Sequence, residues 1–174
     1  MNAKQHGFRS GRSCLSMLLE HQNKIFEELE KSNNVDVIYL DFPKAFDKVD
    51  HSILLNKLEK IRINCKIGVW IHNFLSNRQQ SVAVNGTTSS EAQVRSGVPQ
   101  GSVLGPLLFK IHMSDINYEI ADSTVSCFAD DTRILLGTKD EEDTQMLQND
   151  LHMLYKCTDT NNMKFNANKF ELLQ

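Results

Sequence analysis

The chain has 174 residues, a net charge of −3 and a pI near 6.1. That length suits one domain, residues 1–174, with a real core, and the charge speaks against an autonomous, strongly basic nucleic-acid binder. Hydrophobic residues at 40% and charged residues at 24% are ordinary for a globular protein. No apolar run approaches membrane-spanning length and the N-terminus has no signal-like core, so the expected setting is intracellular, nucleus or cytoplasm, without a membrane partner. Cys14, Cys65, Cys127 and Cys157 are scattered without C-x-x-C spacing, which predicts reduced thiols in or near a core. The histidines are equally dispersed, so any metal site should be made of carboxylates. Oligomeric state is left open.

Residues Met1 to Arg12 read as a polar, basic loop punctuated by Gly7 and Gly11. Ser13 can cap a helix reaching Lys31, with Leu15, Leu18, Ile25, Phe26 and Leu29 at helical spacing. Val35, Val37, Tyr39 and Asp41 alternate with Asp36, Ile38 and Leu40 as a strand ending in a carboxylate, stopped by Pro43. Helices are expected from near Asp50 to Ile61, buried through Leu54, Leu55, Leu58 and Ile61, and from Ile67 to Leu75. Ser81–Val84, Asn85-Gly86 and Thr87–Val94 form a hairpin signal with a type I′ turn. A Gly/Pro loop, Ser96 to Gly101, precedes a helix expected over Val103–Ile120. Val125, Cys127 and Ala129 alternate with Ser126 and Phe128 into Asp130-Asp131, and Thr132–Leu136 follows as a second strand. Asp140 to Asp143 open an acidic helix buried through Leu147, Leu151 and Leu154; Met163–Asn166 and Phe170–Leu173 close the chain as short strands. This order is α+β, a split βαβ-type antiparallel sheet with helices on one face.

Two adjacent aspartates at the tip of a hairpin repel each other unless a positive group sits beside them. The bland alternative is a solvated turn, for which Asp is a favoured residue. If the strand ending at Asp41 neighbours that hairpin, its carboxylate converges with Asp130 and Asp131. Such a set can hold a pair of divalent cations for in-line phosphoryl displacement. Asp47 and Asp50 read as a turn and a cap.

The residues also carry a family resemblance. Tyr39-Leu40-Asp41-Phe42-Pro43-Lys44-Ala45-Phe46-Asp47-Lys48-Val49-Asp50-His51 resembles motif A of reverse transcriptases. Ser96-Gly97-Val98-Pro99-Gln100-Gly101-Ser102-Val103-Leu104-Gly105-Pro106-Leu107-Leu108-Phe109 resembles motif B, and Phe128-Ala129-Asp130-Asp131 motif C. Gln5-His6-Gly7-Phe8-Arg9-Ser10-Gly11-Arg12-Ser13 matches the segment before motif A, and Phe165-Asn166-Ala167-Asn168-Lys169 resembles motif D. All stand in the family's order, and their spelling is most similar to reverse transcriptases of non-LTR retrotransposons.

The resemblance implies the palm, with part of the fingers, of an RNA-directed DNA polymerase. It would add dNTPs to a DNA primer on an RNA template with two Mg²⁺ ions, Mn²⁺ being a substitute. Asp41 and Asp130 would be the principal metal ligands and Asp131 a supporting one. Phe42 would contribute backbone at the metal and triphosphate site, and Phe46 would exclude a ribose 2′-hydroxyl. Gln100 and Gly101 would shape the nucleotide pocket, Lys169 would assist pyrophosphate departure, and Arg9 and Arg12 would contact nucleic-acid phosphates. Each has a plainer alternative: core phenylalanine, helix-entry loop, surface lysine, solvated basic loop. Pro43 stands where the family more often has a small polar residue, and Cys157 where it commonly has tryptophan. Upstream fingertip strands, a thumb and an endonuclease are expected to be absent from these residues, which leaves a non-catalytic retroelement remnant as the alternative reading. A third, another two-metal palm enzyme such as an RNA polymerase or nucleotide cyclase, fits motif A and Phe46 less well.

Overall fold

A computed structural model of the chain describes residues 4–116 and 120–173. Helix α1 spans Cys14–Glu30 and starts on a reciprocal capping box, the Ser13 hydroxyl accepting from the Ser16 amide and the Ser16 hydroxyl from the Ser13 amide. Strand β1, Asn34–Leu40, follows, then a short 3-10 turn at Ala45–Lys48. Helix α2, His51–Lys60, is capped by the Asp50 carboxylate, as expected; α3, Cys65–Leu75, is capped by Asn64. Four short strands come next: β2 (Arg78–Gln80), β3 (Ala83–Val84), β4 (Thr87–Thr88) and β5 (Ala92–Val94). Helix α4 is Gly105–His112, β6 Thr124–Phe128, β7 Asp131–Thr138 and α5 Glu141–Thr160; β8, Glu171–Leu173, ends the order. No helix among the described residues is long and apolar enough to cross a membrane.

Two compact units result, residues 1–43 with 113–174, and residues 44–112. The first is built on a four-stranded antiparallel sheet in the order β6-β7-β1-β8. The antiparallel sheet matches the expectation, and its cover extends beyond one helical face. Helix α1 lies on the side of Tyr39 and Gly137, where His21 meets the Tyr39 ring and Glu28 reaches Gly137. Leu40, Val125 and Ile134, on the opposite side, are buried as well. Glu28 is held there by Asn33 and Lys31, and the Lys31 hydrogen bond lowers its pKa despite burial. Leu147 and Leu154 of α5 are buried, while Leu151 is half-buried.

The second unit contains α2, α3, α4 and the hairpin region. Its type I′ turn is as expected, with Asn85 and Gly86 both at positive φ, 50° and 79°. The hairpin is less continuous than predicted. At Val82 the amide donates to the Ser89 hydroxyl instead of to a strand carbonyl, which splits the ladder into β3-β4 and β2-β5.

Four other expectations are corrected. Helix α4 begins at Gly105, because the Ser102 hydroxyl caps the Gly105 amide and leaves Val103 in solvent; it stops at His112, where Ser114 and Asp115 interrupt the apolar spacing. Residues 117–119 of that expected helix lie outside the described residues. Met163–Asn166 is not a strand: Phe165 turns inward to stack on Phe42, and the Asn166 side chain caps the following 3-10 turn. Ile61 is exposed, as are Leu15, Phe26 and Leu29 of α1, whose buried face carries Met17, His21 and Glu28. Cys14 and Cys65 are exposed, Cys127 is buried and Cys157 is half-buried, so two of the four thiols lie away from the core.

Candidate active site

Strand register brings the first unit's acidic residues together. Leu40 pairs with Thr132 and Phe128 with Asp131, so Asp41, one step past the end of β1, continues the ladder toward Asp131. Asp130 lies in the two-residue turn between β6 and β7. A cleft of about 380 Å³ beside them is lined by Tyr39, Leu40, Asp41, Asp131, Thr132, Arg133, Lys169 and Glu171. Asp41 and Asp131 thus share a cleft wall, while Asp130 is half-buried at the turn.

The electrostatics of this group are unbalanced. Burial raises the Asp130 pKa, and the charges of Asp131 and Asp41 raise it further; its own backbone hydrogen bond and Lys169 act the other way. Lys169 Nζ donates to Asp41 Oδ2 at 2.8 Å, and that hydrogen bond raises the lysine pKa. The motif D segment is also tied to Asp41 through the main chain, the Asn166 amide donating to the Asp41 carbonyl at 2.9 Å. Among the described residues no three His, Cys, Asp or Glu side chains are arranged closely enough to enclose a metal ion. The donor chemistry nonetheless suits a hard divalent cation: the carboxylates are all-oxygen donors, they repel one another, and Asp41 is already paired with an exposed cation. The Phe42 ring is buried and stacked on Phe165, centroids 4.4 Å apart, which leaves only its backbone for any further contact.

Arg9 and Arg12 sit in the N-terminal loop, both half-buried. The Arg12 guanidinium is engaged by Glu20 and by His6 Nε2 at 3.3 Å, so it is committed within the protein. On the face of Tyr39, Arg133 stacks over the tyrosine ring at 5.3 Å, and the Tyr39 hydroxyl meets His21 Nε2 at 3.4 Å. Burial, and then Arg133, lower the His21 pKa.

The other predicted residues belong to the second unit. Phe46 is stacked on Phe109, centroids 4.3 Å apart at 13°. Gln100 is exposed and donates to Asp47 Oδ1 at 3.1 Å; Gly101 has φ +79° with open space around it. Gly97, which carried no specific expectation, is the most constrained residue of that loop. Its φ is +86° and a Cβ there would lie 2.7 Å from Asp47 Cα. Its amide donates to Val49 and its carbonyl accepts from His51 and Arg78, while the Val98 amide donates to Phe46. The motif B loop is therefore stapled to the 46–51 segment by residues whose types alone gave no signal.

Similarity to known proteins agrees with the motif order. The sequence profile of the reverse transcriptase (RNA-dependent DNA polymerase) family matches residues 1–174. The chain belongs to that family. Reverse transcriptase relatives include the RNA-directed DNA polymerase from mobile element jockey of Drosophila melanogaster, 31% identical over 95% of this chain and 19% of the relative. The probable RNA-directed DNA polymerase from transposon BS of the same organism is 32% identical over 77% of this chain and 16% of its own length. The chain thus spans less than a fifth of these non-LTR retrotransposon relatives. Among solved structures, apo telomerase from Candida tropicalis superposes with a TM-score of 0.69 at 12% identity, covering 98% of this chain and 33% of that one. Telomerase from Candida albicans, in complex with a fragment of telomeric RNA, gives 0.67 at 13% identity over 93% and 30%. At those identities the likeness is one of fold, and the fold is that of a reverse transcriptase.

Proposed function

We propose that residues 1–174 act as one domain, the catalytic palm with part of the fingers of a non-LTR-type reverse transcriptase. The domain extends a DNA primer 3′-hydroxyl with dNTPs on an RNA template. The observation that supports this most is the β1–β7 register, which sets Asp41 beside Asp131 and within electrostatic reach of Asp130.

Asp41, Asp130 and Asp131 are the residues that would hold two divalent ions, Mg²⁺ or Mn²⁺. Bound there, such ions supply acidification of the attacking hydroxyl and charge stabilisation of the departing pyrophosphate. Lys169, a lysine whose pKa its bond to Asp41 raises further, would be a proton source at the same cleft once that bond is released. The peptide backbone at Phe42 lines the triphosphate position, and the stacked Phe165 keeps it rigid. In the second unit, Phe46 is the sugar gate and Gln100 and Gly101 belong to the nucleotide pocket; stacking on Phe109 restricts the Phe46 ring, as a steric gate requires. Arg9 and Arg12 are the candidate nucleic-acid contacts of the N-terminal loop, Arg12 once its ion pair with Glu20 is released. The experiment is primer extension with Asp130→Asn, in this chain and in a longer protein that contains it: extension is lost, and unchanged extension refutes the assignment.

A second reading, a non-catalytic remnant, is favoured by the net charge of −3 and by the engagement of Arg12 with Glu20. Primer–template binding across a salt series separates the two. A catalytic palm gives a steep salt slope, whereas a remnant does not bind even at low salt.

A further inference from the structure

We propose that Gln5 is a positioning residue for the aspartate pair: its side-chain amide clamps the peptide of Ala129 and fixes where the next residue, Asp130, presents its carboxylate. The inference rests on the polymerase reading for its consequence. Its geometry stands independently.

Gln5 is buried, and its amide group reads the Ala129 peptide in both directions. Nε2 donates to the Ala129 carbonyl at 3.0 Å, and the Ala129 amide donates to Oε1 at 2.9 Å. The same Oε1 accepts from the Gly7 amide at 2.7 Å, which locks the glutamine side chain itself. The main chain adds a short parallel pairing at the outer edge of β6. The His6 amide donates to Cys127 at 2.8 Å and the Cys127 amide to Lys4 at 3.0 Å, just where the strand runs into the turn.

The turn needs such a hold. Phe128 pairs with Asp131, leaving Ala129 and Asp130 as its two loop residues. Hairpin turns of that length favour Gly or Asn where φ is positive, yet Ala129 sits at φ +55°. A left-handed alanine beside two mutually repelling carboxylates persists only when its surroundings over-determine it. Gly7 completes the arrangement. A Cβ at that position would lie 2.4 Å from the Ala129 amide nitrogen, so only glycine lets the N-terminal segment run this close. The loop before motif A is thus assigned to support of motif C, a role distinct from phosphate contact by Arg9.

The test uses the 174-residue chain with Gln5→Met, which keeps length and loses the hydrogen bonds, and Gln5→Glu, which keeps an acceptor and loses the Nε2 donation. Hydrogen exchange at the Ala129 amide, with Ile134 as a core reference, is read by NMR; Mn²⁺ affinity is read by electron paramagnetic resonance. Gln5→Met should raise Ala129 exchange at least tenfold while Ile134 keeps its protection, and should weaken Mn²⁺ binding about tenfold, as loss of an outer-shell partner does. Gln5→Glu should move both readouts in the same direction by less. Unchanged Ala129 exchange overturns the proposal, as does faster exchange with Mn²⁺ affinity held within twofold. Loss of Ile134 protection in both variants overturns it too, because Gln5 would then be a general core residue. If Asp130→Asn binds Mn²⁺ as the parent chain does, the metal-site reading fails, and Ala129 exchange alone decides the clamp.

Discussion

Asp150, in the middle of α5, offers a measurable test of how the aspartate hairpin is anchored. Only 4% exposed, its carboxylate accepts from three successive backbone amides at the approach to β6: Ala121 at 3.2 Å, Asp122 at 3.1 Å and Ser123 at 2.6 Å. Asp150→Ala leaves all three amides without their acceptor. Ala121 and Asp122 are exposed, so water can replace the lost bonds and each costs a fraction of a charged hydrogen bond. Ser123 is 5% exposed, and its amide would be left buried without an acceptor. Together these amount to about 3 kcal/mol. For a chain of this length that corresponds to a fall in melting temperature of roughly 6 to 12 °C. Thermal unfolding followed by circular dichroism measures the fall, and exchange at the Ser123 amide localises it. Asp150→Asn, which keeps one acceptor, should lose roughly half as much on the same hydrogen-bond scale. A loss below about 1 kcal/mol for Asp150→Ala would refute the reasoning, because it would mean the three amides find equal partners in water.

Further outcomes follow from the site. Because burial and neighbouring carboxylates raise the Asp130 pKa, the folded state binds the Asp130 proton more tightly than the unfolded state, and stability falls as pH rises from the ordinary aspartate range through the raised value. Asp130→Asn should therefore melt higher than the parent at pH 7, with the difference vanishing in acid; equal melting at both pH values would contradict the assigned repulsion. Gly97→Ala should destabilise the second unit by about 3 kcal/mol, through φ strain and overlap with Asp47. Gly101→Ala meets open space and should cost only about 1 kcal/mol, so chemical denaturation of the pair separates contact from conformation. Lys169→Ala should leave melting almost unchanged, since its ion pair with Asp41 is solvent-exposed, yet slow extension by a polymerase-competent parent. Phe46→Ala in that parent should relax discrimination against ribonucleotides, read as the ratio of rNTP to dNTP incorporation.

What the sequence discloses here is what is local. Ser13, Asp50 and Asp140 cap helices where spacing and residue type place them, and Asn85-Gly86 makes the turn its dipeptide demands. The neighbourhood of Asp41 and Asp131 was legible because Asp41 closes one alternating strand and Asp131 stands at the turn of the alternating hairpin, so one correct register brings them together. Contacts that couple distant residues were not. Gln5 with Ala129, and Gly97 with His51 and Arg78, follow no period, and nothing in a glutamine or a loop glycine marks its partner. Helix extent failed for a related reason: Val103 looks helical by composition, but the Ser102 hydroxyl decides where the helix begins. The apolar residues of α1 followed helical spacing while several of them face outward, since periodicity marks a face without saying what it meets.

The placement of β1 in its sheet has a consequence for how the protein is made. That strand is made before the second unit, but both of its partners, β7 and β8, follow only in the last third of these 174 residues. Residues 44–112, by contrast, are contiguous, so the contacts within that unit need no residue made later. Until Asp131–Thr138 is made, the edge of β1, with Val37 and Leu40 of the finished core, lacks its sheet partner. Closing so long a loop costs little additional entropy in the finished fold but delays the native pairing of β1. The interval in which this chain is most prone to wrong strand pairing is therefore set by topology, and it ends when Thr132 reaches Leu40.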